Sequence, residues 1–401
     1  MSTPTPVDQT RWRAIQTISA ARAISLLGSE LTTFALILRE KDNGSGTVAA
    51  LMILGTLPLI LFATVSGWLA DKYSTRAIIP VVSIFAALVS VSLVLPLPHN
   101  YMYVAVFLNS LFGSVSGPTW NALIPTLSTK DDLARALGTS QSYFAFASLF
   151  GPVLAGFLVS TTGYTWPFII DGLTFVALAF APWIAKVNRA GVQVEAHEKL
   201  KSSDGLKFLF SEPLLRELSI LLAVLIVALG AVNVGDVFLV TIELKASPAI
   251  YGLVGSAFAV GSLVGAIGAS ALKIPPARHP LITVASMLVL AVFVGLLSVA
   301  WHWWVALVGS LFAGLANSIL NSYGVGMMMA RTPHDLQGRV GAALSGVVSA
   351  GSLIALTIAG VAISAVGVRQ VLAVSGIASV FVVLVLGPAV VRAGRNSVPT
   401  P

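Results

Sequence analysis

The feature that most constrains this chain is a series of twelve apolar stretches, each long enough to cross a lipid bilayer as a helix. A transmembrane helix needs roughly 20 consecutive apolar residues. Of the 401 residues, 56% are hydrophobic and only 10% are charged, whereas a soluble domain usually carries about 25% charged residues. The sequence therefore predicts an all-α membrane protein. The predicted spans are 14–38, 47–69, 77–97, 100–124, 137–160, 165–187, 214–240, 249–272, 280–299, 303–329, 340–364 and 368–391.

Lysine and arginine residues are divided unevenly between the two sides of this arrangement. The N-terminus, the even-numbered loops and the C-terminus hold eighteen of the 23 Lys and Arg residues, and the other loops hold four. Arg22 is left inside the first span. Because loops rich in Lys and Arg stay on the cytoplasmic side, both termini are predicted to be cytoplasmic. The N-terminus has no short apolar core before a small-residue cleavage site, so no cleavable signal peptide is expected.

The longest polar stretch lies after the sixth span and divides the chain into two similar halves. We predict a six-helix bundle at 1–187, a cytoplasmic linker at 188–213 and a second six-helix bundle at 214–401. Residues 200–210 of the linker are expected to form a short amphipathic helix. Several matches at an offset of about 200 residues indicate a duplication, among them Asn121 with Asn321 and Gly163 with Gly367.

The loop after the second span carries a motif. It contains Gly67, Asp71, Lys72 and Arg76 in the order glycine, small apolar run, aspartate and basic residues. This resembles the inner-loop signature of the major facilitator superfamily, with Ser74 where a second glycine usually stands. The glycine is expected to permit close helix packing, and the charges to latch the cytoplasmic face. The same latch is predicted to include three residues of the next inner loop: Asp131, Asp132 and Arg135. The alternative is a solvated loop whose charges only set the topology.

The fifth span carries a second motif, built from Gly138, Gly151, Pro152 and Gly156. It resembles the motif that marks drug and metabolite exporters coupled by antiport within the superfamily. Small residues allow close helix approach, and the proline bends the helix; the alternative is ordinary helix packing. The whole chain is most similar to the macrolide- and siderophore-exporter branch, which implies a bacterial inner-membrane location. It also implies two pseudo-symmetric bundles around a cavity lined by the first, fourth, seventh and tenth helices.

Ionisable residues inside a span are costly unless paired or hydrated, so each is a candidate site. Glu30 and Asp236 lie on helices that the resemblance places around the cavity, and we predict that they carry the coupling proton with Arg22 beside them. The alternative is a permanent ion pair between Arg22 and one of these carboxylates. Asp171, near the outer end of the sixth span, is interpreted as a structural residue.

Polar and aromatic residues on these helices form the predicted substrate cavity. Many proton-coupled members of the superfamily carry an arginine early in the fourth helix, where this chain has Asn109, so the antiport mechanism lacks one usual participant. Aromatic side chains suit an apolar ligand, although they are common in any membrane helix. The predicted cavity residues are Ser29, Thr33, Asn109, Trp120, Tyr143, Asn233, Asn317 and Asn321.

These features favour a secondary transporter that exports small lipophilic or amphipathic compounds by proton-coupled alternating access. The chain has no cysteine, no phosphate-binding glycine loop and no clustered histidines, so no enzyme activity, metal or cofactor is expected. The expected partners are a small-molecule substrate, protons and the lipid bilayer; nucleic acid is not expected, and the protein is predicted to be a monomer. Uptake of a polar nutrient and a membrane protein of the same fold without transport activity remain as alternatives.

Overall fold

The described part of the protein is entirely helical. A computed structural model describes residues 9–189, 203–272, 274–333 and 336–396, and these contain sixteen α-helices and no β-strand. Ten helices are long and apolar enough to cross a membrane, or eleven if one bent pair counts as a single span. The prediction of an all-α membrane protein is therefore confirmed.

The helices follow the predicted spans closely. The first half contains α1 (Trp12–Glu40), α2 (Ser45–Leu61), α3 (Ala63–Lys72), α4 (Thr75–Ser92), α5 (Tyr101–Leu123), α6 (Leu133–Thr162) and α7 (Thr165–Ile184). The remaining helices are α8 (Ser203–Ser211), α9 (Pro213–Leu229), α10 (Ala231–Val237), α11 (Pro248–Ala271), α12 (His279–Leu297), α13 (Trp303–Leu320), α14 (Gly326–Ala330), α15 (Gln337–Val366) and α16 (Val368–Asn396).

Three predicted spans are interrupted, which the apolar pattern did not indicate. The second span bends by 55° between α2 and α3, one turn after Pro58. The seventh consists of α9, α10 and a π-helical turn at Phe238–Glu243, and the tenth of α13, a π-helical turn at Asn321–Val325 and α14. The fourth predicted span, α5, is a single helix but is not among the ten that are long and apolar enough to cross a membrane, because Asn109, small polar side chains and glycines lower its mean hydropathy.

The chain folds as two compact units. One contains residues 1–39 and 54–198, and the other contains residues 40–53 and 199–401. The predicted boundaries at 187 and 213 differ from this division chiefly at residues 40–53, where Ser45 Oγ donates to Gly360 O at 2.8 Å within the second unit. Half of the predicted linker, residues 190–202, lies outside the described residues. The predicted amphipathic helix corresponds to α8, with Leu206 exposed and Leu209 buried.

Each unit has its own apolar core. In the first unit Ile15, Ile79 and Leu123 are fully buried together, and in the second unit Leu215 and Leu221 are. Apolar contacts of this kind, with backbone groups paired inside each helix, are what a membrane span requires.

Two glycines end corresponding helices in the two units. Gly163 caps α6 with φ of 76°, and Gly367 caps α15 with φ of 90°. Only glycine adopts this left-handed conformation without a steric penalty. The recurrence of the two glycines in the sequence therefore has a structural reason at both positions.

Close approach of α11 and α13 depends on glycines. A Cβ atom at Gly261 would collide with the backbone carbonyl of Leu311, and a Cβ atom at Gly314 would collide with that of Phe258. Ser262 Oγ adds a hydrogen bond to Gly314 O at 3.2 Å. Small residues at such crossings let helix backbones pack directly in a membrane, where apolar side chains gain little by leaving lipid.

We predict that Gly261→Ala destabilises the protein by about 1–3 kcal/mol, because the added methyl group overpacks a rigid backbone contact. The measurement is the apparent melting temperature of the purified protein. Gly268→Ala is the matched control on the same helix, since a Cβ there meets nothing within 4 Å. An equal effect of the two substitutions would contradict the packing argument.

Candidate functional site

The second unit encloses a cavity of about 530 Å³ between α9, α10, α11, α12, α13 and α15. This volume lies in the range of about 300–1,000 Å³ that is typical of small-molecule pockets. Its wall is mostly leucine, isoleucine, valine and methionine, with the rings of Phe258 and Phe293. The polar members are Asn233, Asp236, Ser310, Asn317, Asn321 and Ser352.

Asp236 is the only ionisable residue among the described residues that line this cavity. It lies on the short helix α10, directly before the π-helical turn. The part of the chain that the structure describes contains no hydrogen bond or ion pair to its carboxylate. An unpaired carboxylate against an apolar wall is costly when charged, so it is suited to a proton or to a cationic ligand.

Three predicted cavity residues, Asn233, Asn317 and Asn321, lie in this cavity together with Asp236. Asn321 Nδ2 donates to the backbone oxygen of Asn317 at 2.8 Å. Asn321 also begins the π-helical turn after α13. Such turns are rare and frequently occur at functional sites. Both interrupted spans that border the cavity, the seventh and the tenth, contain one.

Arg22 does not form the ion pair that was considered as an alternative. Its Nη2 donates to Asn121 Oδ1 at 3.2 Å, and its guanidinium lies 4.6 Å from the centre of the Phe144 ring. Its Nη1 is buried and has no hydrogen-bond partner among the described residues. The guanidinium of Arg22 therefore contacts an amide and an aromatic ring, and its Nη1 remains available to donate a hydrogen bond.

Glu30 packs against the fifth predicted span at its motif. A Cβ atom at Gly151 would collide with Cβ of Glu30, so this glycine makes room for the glutamate. The side chain is partly exposed, and within the described ranges its carboxylate has no hydrogen-bond or ion-pair partner. The motif on α6 and the candidate carboxylate on α1 thus meet in the first unit.

Asp171 is more deeply buried than either carboxylate and lies at the centre of a hydroxyl cluster. Its side chain accepts hydrogen bonds from Thr32 and Ser90, each at 2.8 Å, and from Ser29 at 3.4 Å. Asn109 Nδ2 donates to Ser90 Oγ at 3.0 Å. Two predicted cavity residues, Ser29 and Asn109, therefore bond into this cluster, which the residue spacing alone did not reveal.

The other predicted cavity residues of the first unit differ in their surroundings. The prediction for Trp120 was wrong: this residue is 1% exposed and packs in the apolar core with Ile15 and Leu123. Its large ring is buried by the helices that cross at this point. Thr33 is exposed and donates to Ser29 O at 2.8 Å, and Tyr143 is partly exposed beside Phe144.

The predicted latch has a different partner from the one expected. Asp71 pairs with Arg189 at 2.9 Å, and Arg189 also donates to Ala70 O at 3.0 Å. Arg76 binds the Val187 carbonyl through Nε at 2.9 Å instead of forming a pair with Asp71. The start of the predicted linker is thereby fixed to the turn between α3 and α4.

The remaining residues of the predicted latch form separate contacts. Asp132 accepts from Thr10 Oγ1 at 2.5 Å, and Arg135 stacks over Trp12 at 4.9 Å. Lys72 stacks over Trp68, 4.4 Å from the ring centre, and Asp131 is exposed. In the described ranges these residues form no ion pair with one another, and their role in a cytoplasmic latch stays a prediction.

Two motif glycines do not act as predicted. A Cβ atom at Gly67 or Gly138 would meet nothing within 4 Å. No close helix contact therefore requires glycine at either position in this structure. Pro152 and Gly156 are buried within α6, which continues as one helix through the proline. Among the described residues no group of three or more His, Asp or Glu could hold a metal ion.

Comparison with known proteins gives a family and several relatives. The profile of the Major Facilitator Superfamily matches residues 18–242 and 237–400. An uncharacterized MFS-type transporter, YfiS, of Bacillus subtilis (strain 168) is 28% identical over 211 residues, which are 51% of this chain and 51% of that protein. Macrolide efflux protein A of Streptococcus pyogenes is 26% identical over 187 residues, 45% of this chain and 46% of the relative. The chain thus spans about half the length of the curated relatives that it matches.

Solved structures resemble the fold over nearly the full chain. A bacterial homologue of the iron transporter ferroportin, in an inward-facing state, superposes with a TM-score of 0.73 at 15% identity. That match covers 96% of this chain and all of the other. A bacterial homologue of the human lysosomal transporter Spinster gives a TM-score of 0.64 at 13% identity, covering 96% and 97%. At these identities the likeness concerns the fold alone.

We predict that the Asp71 and Arg189 side chains are energetically coupled. Asp71→Ala and Arg189→Ala should each lower the apparent melting temperature, and the double variant should lose less than the sum, by about 0.2–1 kcal/mol for a partly exposed pair. Lys72→Ala is the control. Because Lys72 stacks on Trp68 and not on Arg189, its effect should add to that of Arg189→Ala. The pairing would be wrong if Asp71→Ala were additive with Arg189→Ala but not with Arg76→Ala.

Proposed function

Because the chain belongs to the Major Facilitator Superfamily, we propose that it is a secondary active transporter that exports small lipophilic or amphipathic compounds. The proposed mechanism is proton-coupled alternating access in the bacterial inner membrane, with both termini in the cytoplasm. The observation that carries the proposal is the apolar cavity of the second unit with Asp236 as its one ionisable side chain among the described residues.

The wall of the cavity supports a lipophilic substrate. Two phenylalanine rings and many branched aliphatic side chains face the space, and three asparagines supply hydrogen bonds. Apolar walls with a few convergent polar groups are typical of drug-sized ligand sites. The unpaired carboxylate of Asp236 further favours compounds with a protonated amine, since an opposite charge offsets its desolvation.

Proton coupling is supported by the absence of fixed partners for the embedded carboxylates. A carboxylate in a permanent ion pair cannot easily exchange its charge for a proton. In the described ranges neither Glu30 nor Asp236 has such a partner, and Arg22 binds Asn121 instead. We therefore assign proton binding to Glu30 and Asp236, with Arg22 as the embedded cation of the first unit.

Export rather than uptake is supported by the relatives and by the cavity. Two proteins similar to part of this chain are named macrolide efflux protein A and probable actinorhodin transporter. Uptake of a sugar-like nutrient requires several hydrogen-bonding side chains around each substrate, whereas this cavity is largely apolar. The turn held by Asp71 and Arg189 is the proposed cytoplasmic latch.

Expression in a drug-sensitive bacterial strain tests the function directly. We expect higher tolerance to ethidium and to erythromycin than in the same strain with an empty vector, and slower ethidium accumulation. A protonophore should remove both effects, because the proposed driving force is the proton gradient. Accumulation that is unchanged by expression across a panel of lipophilic cations and macrolides would contradict the proposed substrate class.

We predict that Asp236→Asn lowers ethidium efflux driven by a pH gradient at least tenfold, since the amide keeps the shape but cannot change charge. Glu30→Gln should also reduce it. Efflux rates are measured in cells with matched protein levels. Glu217→Gln is the control, because Glu217 pairs with Arg216 at a helix surface. Full efflux with unchanged pH dependence in both Asp236→Asn and Glu30→Gln would show that the proton assignment is wrong.

A further inference from the structure

The cluster around Asp171 combines deep burial with the absence of any positive charge. Asp171 is 1% exposed and lies on α7, a membrane-spanning helix. Three hydroxyl groups surround its carboxylate: Ser29 and Thr32 from α1, and Ser90 from α4. No lysine, arginine or histidine of the described chain forms an ion pair with it. Gly28 and Thr174 pack beside it, so the cluster is tightly enclosed.

A structural anchor in this position would be expected to have a fixed cation or backbone amides as partners. Hydroxyl groups differ from both, because each can donate to a carboxylate or accept from a carboxylic acid after rotation of one bond. The surroundings of Asp171 can therefore satisfy the ionised and the neutral form without movement of a helix. A charge without a cation in a membrane span is costly, so binding of a proton would relieve this cost.

The two carboxylate oxygens are not equivalent. Oδ2 accepts two hydrogen bonds of 2.8 Å from Thr32 and Ser90, whereas Oδ1 has only Ser29 at 3.4 Å. Oδ1 is thus the less satisfied oxygen and the place where a proton would be added. Ser29 Oγ is positioned to accept that proton's hydrogen bond, and its side chain is partly exposed.

A second branch of the cluster reaches α5. Ser90 Oγ donates to Asp171 and accepts from Asn109 Nδ2 at 3.0 Å. The other amide atom, Asn109 Oδ1, is buried and lacks a partner in the described structure. Because a proton on Oδ1 leaves Oδ2 as an acceptor, the bonds from Asn109 to Ser90 and from Ser90 to Asp171 can persist in both protonation states.

We propose that Asp171 is a proton-binding site of the first unit, which Ser29, Thr32 and Ser90 hold in both protonation states. A proton from water binds Oδ1, the charge of the carboxyl group changes from −1 to 0, and the proton later returns to water; no other bond changes. The use of this site in transport rests on the proposed function, whereas proton binding itself does not. Asp171 would then supplement Glu30 and Asp236.

The titratable and charged groups on the surrounding helices are few. None of them bonds to Asp171, and the other carboxyl groups on these helices are Glu30, adjacent to Ser29 in the chain, and Glu40 at the end of α1. The groups are Arg13, Arg22, Glu30, Arg39 and Glu40 on α1, Arg76 on α4, Tyr101 and Tyr103 on α5, and Arg135 and Tyr143 on α6.

Infrared difference spectra of the full chain in lipid, recorded between two pH values, test proton binding without any substrate. We expect a carboxylic-acid stretching component that Asp171→Asn removes and that Glu30→Gln and Ser19→Ala retain. Ser19 is an equally buried hydroxyl of α1 without a bond to the cluster. Ser90→Ala should keep the component and change its frequency, because the band reports hydrogen bonding. If Asp171→Asn cannot be purified in folded form, the Ser90→Ala spectrum tests the assignment of the band to Asp171. An unchanged band frequency in Ser90→Ala overturns the proposal.

Ethidium transport in proteoliposomes tests the use of the site. Asp171→Asn should reduce transport driven by a pH gradient at least tenfold and leave ethidium exchange without a gradient within twofold of the wild type. Equal loss of both activities would indicate a purely structural role and overturn the coupling role. If the wild type fails to move ethidium, the proposed function is at fault, and the infrared result still decides whether Asp171 binds a proton.

Discussion

The cost of placing an ionisable side chain in an apolar helix bundle governs much of this structure. Four such side chains are embedded in the spans, and the described residues contain no ion pair between any two of them. Arg22 is held by an amide and a ring, and Asp171 is surrounded by hydroxyls. Glu30 packs on a glycine, and Asp236 faces a cavity. Unpaired groups of this kind can change charge at low structural cost, which is what a coupled transporter needs.

Fixed ion pairs occur instead at the ends of helices. Asp71 pairs with Arg189 in the first unit, and Glu212 pairs with Arg331 in the second at 3.4 Å. Thr10, before α1, bonds to Asp132, which follows the fourth predicted span, and Glu212, before α9, pairs with Arg331, which follows the tenth. Water and headgroups reduce the desolvation cost at helix ends, so these pairs can be permanent.

The sequence predicted the spans well, because a bilayer demands long apolar helices whatever their tertiary contacts. Helical spacing put Asn233 with Asp236, and Asn317 with Asn321, on one face of their own span, and all four line the cavity of the second unit; their roles stay predictions. The sequence did not predict the Asp171 cluster, whose members come from different helices, although Gly28 beside Ser29 was a usable signal of close approach. It likewise missed Arg189 as the partner of Asp71 and placed the buried Trp120 in a cavity, because contacts between helices leave no periodic pattern. The π-helical turns have no apolar signature either.

The central claim is that embedded, unpaired carboxylates exchange protons as substrate moves. The most direct measurement is proton flux in proteoliposomes that contain the purified chain and a pH-sensitive dye, after an ethidium gradient is imposed without a pH gradient. The account predicts proton movement opposite to ethidium movement in the wild type, and its loss in Asp236→Asn. Ethidium movement with no accompanying proton movement in the wild type would contradict the account.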